Sequence, residues 1–239
     1  MLPPKIPADA ALFLDFDGCL VEIAPTPDAI SVPPALPGAL ARLYRRLDGA
    51  VALISGRSAS ELRGFLPDFP GIVAGSHGAE LSLPGQPIRP VDDEGVDVGA
   101  LQRRVAALAA EHPGLLVEAK PHGVALHYRA APELGCWVTQ TMQALAGDYP
   151  SLVLQPAKMA VELRPASAGK DRALALLMQH PPFAGRLAIY AGDDLTDEAA
   201  IAEAQDRGGI GIKVGPGDSV ARHRLADPNA VLRWLEDTA

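Results

Sequence analysis

The sequence predicts an α/β fold: a parallel sheet covered by helices, with a smaller α/β domain inserted into it. Short apolar runs at residues 11–14, 51–54 and 187–191 each end in acidic, serine or glycine residues. This pattern is typical of buried parallel strands whose carboxyl ends face a ligand crevice. Between about residues 98 and 164 the pattern changes to a helix followed by two strands, and this order occurs twice. We therefore expect a core interrupted by an insert with its own sheet.

The composition narrows the class of protein further. The 239 residues are 48% hydrophobic, which suffices for one core with a smaller inserted domain. No apolar run approaches the roughly 18 residues of a membrane span, and the start has no signal-peptide pattern, so a soluble cytoplasmic protein is expected. The net charge of −8 opposes nucleic-acid binding, and no long heptad pattern indicates a partner helix, which favours a monomer. Cys19 and Cys136 are too few for a disulfide framework.

The first part of the core is predicted to span residues 1–97. A strand comes first, and leucines at helical spacing then mark a helix before the second strand. Ser58 and Glu61 resemble a capping box, so another helix is expected to begin directly after Ser55-Gly-Arg57. A third apolar run leads into Gly75-Ser-His-Gly-Ala-Glu80, and a turn-rich stretch follows. The predicted positions are strands at 11–14, 51–54 and 71–74, a helix at 36–47 and turns at 84–90.

The insert is predicted to span residues 98–164, and the second part of the core residues 165–239. Apolar residues at helical spacing mark both helices of the insert, and each helix precedes two short strands. The predicted insert has helices near 101–108 and 134–145 and strands near 115–119, 124–128, 152–155 and 159–163. After Pro165 the core resumes with a helix near 170–179, strands near 187–191 and 211–214, and a helix near 230–235.

Two carboxylates at the end of the first strand suggest phosphate chemistry. Asp15 and Asp17 flank Phe16, and Gly18 lets the backbone turn away and leaves room for a ligand. Because an anionic nucleophile must approach an anionic phosphoryl group, a divalent cation has to offset their repulsion. Asp15 and Asp193 are suitable hard oxygen ligands for Mg²⁺.

Each polar residue at these strand ends can be given a role in phosphate-ester hydrolysis. Asp15 is expected to attack phosphorus, while Asp17 protonates the leaving oxygen and then serves as base toward water. Ser55 and Lys170 would donate to the equatorial oxygens, and a lysine at a helix start is otherwise unfavourable. Asp194 and Asp197 are candidates to orient ligands or metal-bound water, although acids in a first helical turn also serve as caps. The role of Arg57 stays open.

These signals occur in the order found in a known superfamily. Asp-x-Asp-Gly, a strand-end serine, a lysine and Gly-Asp-Asp-x-x-Asp together resemble the haloacid dehalogenase superfamily of phosphotransferases. This resemblance implies that the backbone carbonyl of Asp17 is a further ligand of Mg²⁺.

Longer segments resemble the trehalose-6-phosphate phosphatase family within this superfamily. That resemblance implies a Rossmann-like parallel-sheet core with an inserted smaller α/β cap (lid) domain, and free trehalose and inorganic phosphate as products. The segments are Phe13-Leu-Asp-Phe-Asp-Gly18, Ile54-Ser-Gly-Arg57, Gly75-Ser-His-Gly-Ala-Glu80, Ala125-Leu-His-Tyr-Arg129 and Gly192-Asp-Asp-Leu-Thr-Asp-Glu198.

The same resemblance implies a set of substrate-binding residues. Polar side chains of the cap would face the disaccharide, because sugar hydroxyls need donors and acceptors. A solvated sheet face is the alternative for each cap residue, and a satisfied turn histidine is the alternative for His77. The implied set is Gly56, His77, Glu118, Lys120, His127, Arg129, Lys158, Glu162 and Arg164.

Two departures from the family pattern concern the core. Cys19 stands where the family usually has threonine, which removes a hydroxyl donor, and Asp171 stands where glycine is common.

Two other functions compete with this interpretation. One is a related sugar phosphatase acting on sucrose phosphate, a hexose phosphate or a glycosyl phosphoglycerate. The other is a non-catalytic phosphate-sensing domain, although such a domain needs neither Asp17 nor a cap.

Overall fold

Twelve strands and seven α-helices are present in the computed structural model, which describes residues 1–24, 26, 29–90, 96–157 and 159–237. The strands are β1 (Ala10–Leu14), β2 (Val51–Ile54), β3 (Ile72–Gly75), β4 (Glu80–Ser82), β5 (Arg89–Pro90), β6 (Leu116–Lys120), β7 (Gly123–His127), β8 (Leu152–Ala157), β9 (Ala160–Pro165), β10 (Leu187–Gly192), β11 (Ile210–Val214) and β12 (His223–Leu225). The helices are α1 (Leu36–Arg46), α2 (Ala59–Phe65), α3 (Val98–Ala109), α4 (Gly135–Gly147), α5 (Lys170–Leu177), α6 (Glu198–Asp206) and α7 (Pro228–Glu236).

The chain divides into two units, each with its own sheet and hydrophobic core. The core unit consists of Met1–Pro90 and Gly169–Ala239, and the cap unit consists of Val91–Ala168. The core unit is therefore built from two separate stretches of chain. Among the helices that the structure describes, none combines the length and the apolar character needed to cross a membrane.

The core unit contains an eight-stranded sheet with β1 at its centre. The strand order is β12-β11-β10-β1-β2-β3-β4-β5, and the first six strands in this order are parallel. In the register, Leu14 lies opposite both Ala191 of β10 and Leu53 of β2. Every residue of β1 and β2 is buried, as expected for parallel strands with both faces covered. The predicted α/β fold with a parallel-sheet core is confirmed.

The helices of the core unit form where the sequence provides caps and apolar faces. Helix α1 buries Leu36, Leu40 and Leu43, which share one face, and has a proline in its first turn. Helix α2 begins with the predicted capping box: Glu61 N donates to Ser58 Oγ at 3.3 Å, and Ser58 N donates to Glu61 Oε2 at 3.0 Å. This box starts α2 directly after Ser55-Gly-Arg57.

The cap unit contains an antiparallel sheet with the strand order β6-β7-β9-β8. Helices α3 and α4 pack against it, and the predicted helix-strand-strand order occurs twice. The apolar face of the sheet and the two helices share one core, formed by Leu101, Val105, Ala109, Val124, Leu126, Val138, Met142, Leu145, Leu152, Val161 and Leu163. The opposite face of the sheet is polar.

Three short strands were not predicted from the sequence. Strands β4 and β5 extend the core sheet as an antiparallel edge, and β12 adds a parallel strand at the other edge. Strand β5 lies inside the stretch of residues 84–90 that the sequence predicts as turns. Edge strands of two or three residues carry too few side chains for a readable alternation, so backbone pairing alone defines them.

Candidate active site

Three adjacent parallel strands end in polar side chains at one edge of the core sheet. Asp15 follows β1, Ser55 follows β2 and Asp193 follows β10. Because β1 lies between the other two strands, these three residues share the carboxyl edge of the sheet. Asp15 N donates to Ala191 O at 2.9 Å, which fixes the turn after β1 against β10. Asp15 and Ser55 are buried although both are polar.

Lys170 brings a buried positive charge to this edge. It is the first residue of α5, and its Nζ lies 2.9 Å from Asp15 Oδ1 and 2.7 Å from Asp197 Oδ1. Burial alone lowers the pKa of a lysine, but the charges of Asp15 and Asp197 raise the pKa of Lys170 above its ordinary value. The lysine therefore stays a cation paired with Asp15.

Asp197 joins Lys170 to strand β10 and to the turn that follows it. It is fully buried, and its Oδ1 accepts hydrogen bonds from Lys170 Nζ at 2.7 Å and from Tyr190 Oη at 2.6 Å. Its Oδ2 accepts from the backbone N–H groups of Asp193 at 3.1 Å and Asp194 at 3.0 Å. Both oxygens of Asp197 are thus occupied by protein donors. Asp197 connects α5 to the turn after β10.

The acidic groups fit a divalent cation. Ligand atoms of Asp15, Asp193 and Asp197 lie within 4.8 Å of one another. Burial and the charge of Asp197 raise the pKa of Asp15 well above its ordinary value, and burial together with Asp197 and Asp194 raises the pKa of Asp193 to about 6. A bound cation favours the ionised forms and removes this penalty. Since Asp197 already accepts four hydrogen bonds, Asp15 and Asp193 are the better candidate ligands.

Gly18 leaves room for the Asp193 carboxylate. Its φ is +71°, and a Cβ added to Gly18 would lie 2.0 Å from Asp193 Oδ2. The backbone carbonyl of Asp193 accepts a hydrogen bond from Lys213 Nζ, and Lys213 also lies 3.9 Å from Glu198 Oε1. The carboxylate of Asp193 is thus held against the turn that contains Asp17 and Gly18. This is the region in which the resemblance implies a metal ligand.

The Asp17 carboxylate is paired with Arg57. Arg57 Nε lies 2.6 Å from Asp17 Oδ2, and Arg57 Nη2 lies 2.8 Å from Asp17 Oδ1, so the contact is bidentate. The side chain of Asp17 is 33% exposed, whereas that of Arg57 is 13% exposed. The sequence left the role of Arg57 open, and the structure shows its partner.

Two turns interlock beside Ser55. Arg57 N donates to Ser55 Oγ at 3.2 Å, and His77 N donates to Ser55 O at 2.8 Å. The imidazole of His77 lies against Gly56, where an added Cβ would be 2.8 Å from His77 Nε2. Ser76 and His77 both have positive φ, at +49° and +57°. The structure thus places His77 and Gly56 together next to Ser55.

Cys19 lies beneath the acidic cluster and is fully buried. Its thiol donates to Ala191 O at 3.4 Å, across the same turn that holds Asp15. Burial, together with the charges of Asp15, Asp197 and Asp193, raises the pKa of the Cys19 thiol well above its ordinary value. The thiol therefore stays neutral and points to the backbone of β10.

In the cap unit, five of the sequence-predicted residues share one face of the sheet. Glu118 lies opposite Ala125, which lies opposite Glu162, so the two glutamates project to the same side. Residues two positions away on the same strand project to that side as well, because side chains alternate along a strand. The five residues are Glu118 and Lys120 of β6, His127 of β7, and Glu162 and Arg164 of β9.

Hydrogen bonds organise this polar face. Glu118 Oε1 lies 2.6 Å from Lys120 Nζ, and Glu118 Oε2 lies 2.8 Å from His127 Nε2. The hydrogen bonds from His127 and Lys120 lower the pKa of Glu118 to about 2, whereas burial raises the pKa of Glu162. Arg164 Nη2 donates to Gln155 Oε1 at 3.1 Å.

Two further cap residues were predicted from the sequence, Arg129 and Lys158. Arg129 is exposed and follows the end of β7. Lys158 lies outside the described residues. In the core unit, Asp194 is exposed at the start of the turn after β10, where its side chain caps that turn.

Sequence reasoning did not identify three side chains that hold the core site. They are Tyr190, which donates to Asp197, Lys213, which donates to the Asp193 carbonyl, and Arg57, whose partner stayed open. Tyr190 would have been the easiest of the three to identify from the sequence, because it is the one side chain with a hydroxyl in the otherwise apolar strand β10. Lys213, a charge in the buried strand β11, was a weaker indication of the same kind.

Acidic groups lie at the carboxyl edge of the parallel sheet, a buried lysine is paired with the first of them, and the cap unit interrupts the core unit. The fold that carries these features is shared with a solved haloacid dehalogenase-like hydrolase of Bacteroides thetaiotaomicron, which superposes with a TM-score of 0.70 at 14% identity over 95% of this chain and 98% of that chain.

The comparison with known families is more specific. Residues 13–230 match the family model for trehalose-phosphatase. A probable trehalose-phosphate phosphatase of Sinorhizobium fredii is 44% identical over 86% of this chain and 78% of that protein. The trehalose-6-phosphate phosphatase of Escherichia coli is 37% identical over 98% of this chain and 88% of that protein. The solved structure of a trehalose-6-phosphate phosphatase related protein superposes with a TM-score of 0.78 at 28% identity, over 95% of each chain. The chain belongs to the trehalose-phosphatase family.

Proposed function

We propose that this protein hydrolyses trehalose 6-phosphate to trehalose and inorganic phosphate through a phospho-aspartate on Asp15. The observation that supports this most is the buried pair of Asp15 and Lys170, whose charged atoms lie 2.9 Å apart at the carboxyl end of β1. A nucleophile held beside a fixed cation suits attack on an anionic phosphoryl group. The 37% to 44% identity to proteins named as trehalose-phosphate phosphatases supports the substrate.

In the first step, a carboxylate oxygen of Asp15 forms a bond to phosphorus while the bond between phosphorus and the sugar oxygen breaks. Asp17 transfers a proton to the departing sugar oxygen, so trehalose leaves as a neutral alcohol. Lys170 and Ser55 stabilise the charge that spreads over the equatorial oxygens of the transferring group. Asp197 keeps Lys170 in place for this role through the 2.7 Å contact.

In the second step, water attacks phosphorus of the acyl phosphate and the bond between phosphorus and Asp15 breaks. Asp17 accepts the proton that the water loses, which regenerates both carboxyl groups for the next turnover. The Asp17 side chain is 33% exposed, so a water molecule can reach it. Inorganic phosphate is the second product.

Mg²⁺ is the proposed cofactor. The carboxylates of Asp15 and Asp193 and the backbone carbonyl of Asp17 would hold it, and these are the hard oxygen donors that it prefers. When bound, Mg²⁺ offsets the repulsion between the anionic nucleophile and the phosphoryl group. Gly18 supports this assignment, because any side chain there would displace the Asp193 carboxylate.

Substrate selection is assigned to the polar face of the cap sheet. Glu118, Lys120, His127, Glu162 and Arg164 together offer both donors and acceptors, as neighbouring sugar hydroxyls require. Glu118 is held by Lys120 at 2.6 Å and by His127 at 2.8 Å, so its orientation is set before a sugar binds. Arg129 and Lys158 are assigned to the same role by the family resemblance, and Gly56 and His77 to binding of the substrate at the core.

Substitution of the nucleophile tests the proposal. Asp15→Asn keeps the shape of the side chain but removes its attacking charge, so kcat is expected to fall more than about a thousandfold. The matched control is Asp218→Asn, at an exposed position of the same unit, with unchanged kcat. Circular dichroism and the thermal midpoint verify that Asp15→Asn is folded. Activity of folded Asp15→Asn within about threefold of the original would defeat the mechanism.

A further inference from the structure

Arg57 and Asp17 are 40 residues apart in the chain, yet they form an ion pair at the core site in which both carboxylate oxygens accept a hydrogen bond from one guanidinium. The guanidinium presents Nε and Nη2 to the two oxygens of one carboxylate at 2.6 Å and 2.8 Å. Two parallel hydrogen bonds fix the plane of the carboxylate as well as its position. Within the described part of the chain, both hydrogen bonds that the Asp17 carboxylate accepts come from Arg57.

The guanidinium of Arg57 is itself held in place. It lies over the ring of Phe65 at 5.2 Å from the ring centroid, and Nη1 lies 3.7 Å from Glu61 Oε1. The backbone of Arg57 is tied at both sides, because its N–H donates to Ser55 Oγ and its carbonyl accepts from Ser76 N at 2.7 Å. A donor anchored in this way orients its partner, instead of following it.

We propose that Arg57 is a positioning residue that sets the orientation of the Asp17 carboxylate for proton transfer to the leaving oxygen. The inference rests on the proposed function, in which Asp17 is the acid. With its side chain 33% exposed on a turn, an unheld Asp17 would sample several rotamers. A general acid acts only within hydrogen-bond reach of the oxygen it protonates, so a carboxyl group of scattered orientation is a poor acid. Each Asp17 oxygen that accepts from Arg57 has a second lone pair, and this is where the transferred proton is held.

Leaving groups of different quality distinguish this role from two others. A 4-nitrophenolate departs without a proton, whereas phenolate and a sugar alkoxide depend on the acid. If Arg57 instead contacted the phosphoryl group, or only supported the turn after β2, its loss would slow all three substrates by the same factor. Since kcat/KM covers the steps up to departure of the leaving group, it excludes the later hydrolysis of the phospho-aspartate.

The experiment compares kcat/KM of Arg57→Gln and Arg57→Lys on trehalose 6-phosphate, phenyl phosphate and 4-nitrophenyl phosphate, with Mg²⁺ present. For Arg57→Gln we expect a loss above about tenfold on the first two and below about threefold on 4-nitrophenyl phosphate. Arg57→Lys is expected to show the same pattern, because an ammonium does not reproduce the two parallel bonds. Asp17→Asn, measured alongside, gives the pattern of a missing acid.

Arg63 provides a matched control. It lies in α2, its guanidinium is 5.9 Å from the ring centroid of Phe69, and it donates to Ser82 Oγ at 3.0 Å and to Phe69 O at 2.6 Å. Arg63→Gln is expected to lower the thermal midpoint without changing the ratio of rates between substrates. It therefore shows what the loss of a purely structural arginine does.

A uniform loss in Arg57→Gln on all substrates, with the original protein active, overturns the role of Arg57 and leaves the proposed function intact. No phosphate release by the original protein overturns both. On trehalose 6-phosphate alone, the double variant Asp17→Asn with Arg57→Gln should lose no more than about threefold beyond Asp17→Asn. Losses that multiply would show that Arg57 acts independently of Asp17, which also overturns the inference.

Discussion

The Asp197 carboxylate accepts four hydrogen bonds in a fully buried position, and two of their donors, Lys170 and Tyr190, are side chains. Removal of this carboxylate leaves Lys170 with one buried partner, Asp15, and leaves two backbone N–H groups without an acceptor. Loss of one partner from a buried pair leaves uncompensated charge, which is far more costly than loss of an exposed pair. We therefore expect loss of Asp197 to have the largest effect on stability among the acids in the turn after β10.

We predict that Asp197→Ala lowers the free energy of unfolding by about 3–5 kcal/mol. Urea unfolding monitored by circular dichroism measures this change. Asp218→Ala, at an exposed position of the same unit, is the control and should change stability by no more than about 0.5 kcal/mol. An equally small effect of Asp197→Ala would contradict the role of its carboxylate in joining α5 to β10.

Among single residues, the sequence indicated candidates for the site but not which atoms they contact. Asp15, Asp17, Ser55, Lys170 and Asp193 were chosen from their positions at strand ends and at a helix start. The pairing of Asp17 with Arg57 was beyond this reasoning, because it joins turns 40 residues apart. From the sequence, Asp197 was equally well explained as a helix cap and as a functional residue. Its burial and its hydrogen-bond partners, which bear on this choice, are known only from the structure.

The turn after β1 depends on a glycine for two reasons. Gly18 has a φ of +71°, and an added Cβ would lie 2.0 Å from Asp193 Oδ2. Gly208 has a similar φ of +78°, but its added Cβ would meet nothing within 4 Å. An alanine at Gly208 would therefore cause backbone strain alone, whereas an alanine at Gly18 would cause the same strain and also a clash with Asp193 at the candidate metal site.

We predict that Gly208→Ala costs about 1–2 kcal/mol of stability through backbone strain and leaves kcat unchanged. Gly18→Ala carries the same strain and also displaces Asp193, so kcat is expected to fall more than about tenfold. Its activity should also need a higher Mg²⁺ concentration. The measurements are urea unfolding and phosphate release as a function of Mg²⁺ concentration. Equal activities of the two variants would contradict the close approach of Gly18 and Asp193.

The polar face of the cap sheet gives a pH dependence that can be worked out from Glu118. Its pKa is about 2 in the folded protein and 4.5 ordinarily, because His127 and Lys120 favour the carboxylate. A lowered acid pKa contributes stability above the ordinary value, and this contribution is lost as the pH falls through about 2. Glu118→Gln removes the contribution.

We predict that the thermal midpoint of Glu118→Gln lies below that of the original cap unit near neutral pH, and that the gap closes as the pH falls from about 4.5 to about 2. Fluorescence can report the cap unit alone. The chain has two tryptophans, Trp137 in the cap unit and Trp234 in the core unit, so a Trp234→Phe background leaves Trp137 as the reporter. Glu111→Gln, at an exposed position, is the control. A gap that is independent of pH would contradict the pairing of Glu118.

At the scale of the whole molecule, hydrophobic periodicity predicted most of the fold. The central strands were readable as short, uninterrupted apolar runs, as in β1, and the helices as apolar residues at helical spacing, as in α1. Strands β4, β5 and β12 were missed, since strands of two or three residues are defined by pairing with a neighbour. The shared polar face of the cap sheet was suggested by alternation within each strand, but the register between Glu118, Ala125 and Glu162 is a tertiary property.

The central claim is that the chain is a magnesium-dependent phosphatase selective for trehalose 6-phosphate. The most direct test is phosphate release by the purified protein with Mg²⁺, on trehalose 6-phosphate, glucose 6-phosphate, sucrose 6-phosphate and 4-nitrophenyl phosphate, with EDTA in parallel. We predict a strong preference for trehalose 6-phosphate and loss of all release with EDTA. Comparable rates on every substrate would contradict the assignment of the cap face to the disaccharide, and no release from any of them would contradict the phosphatase itself.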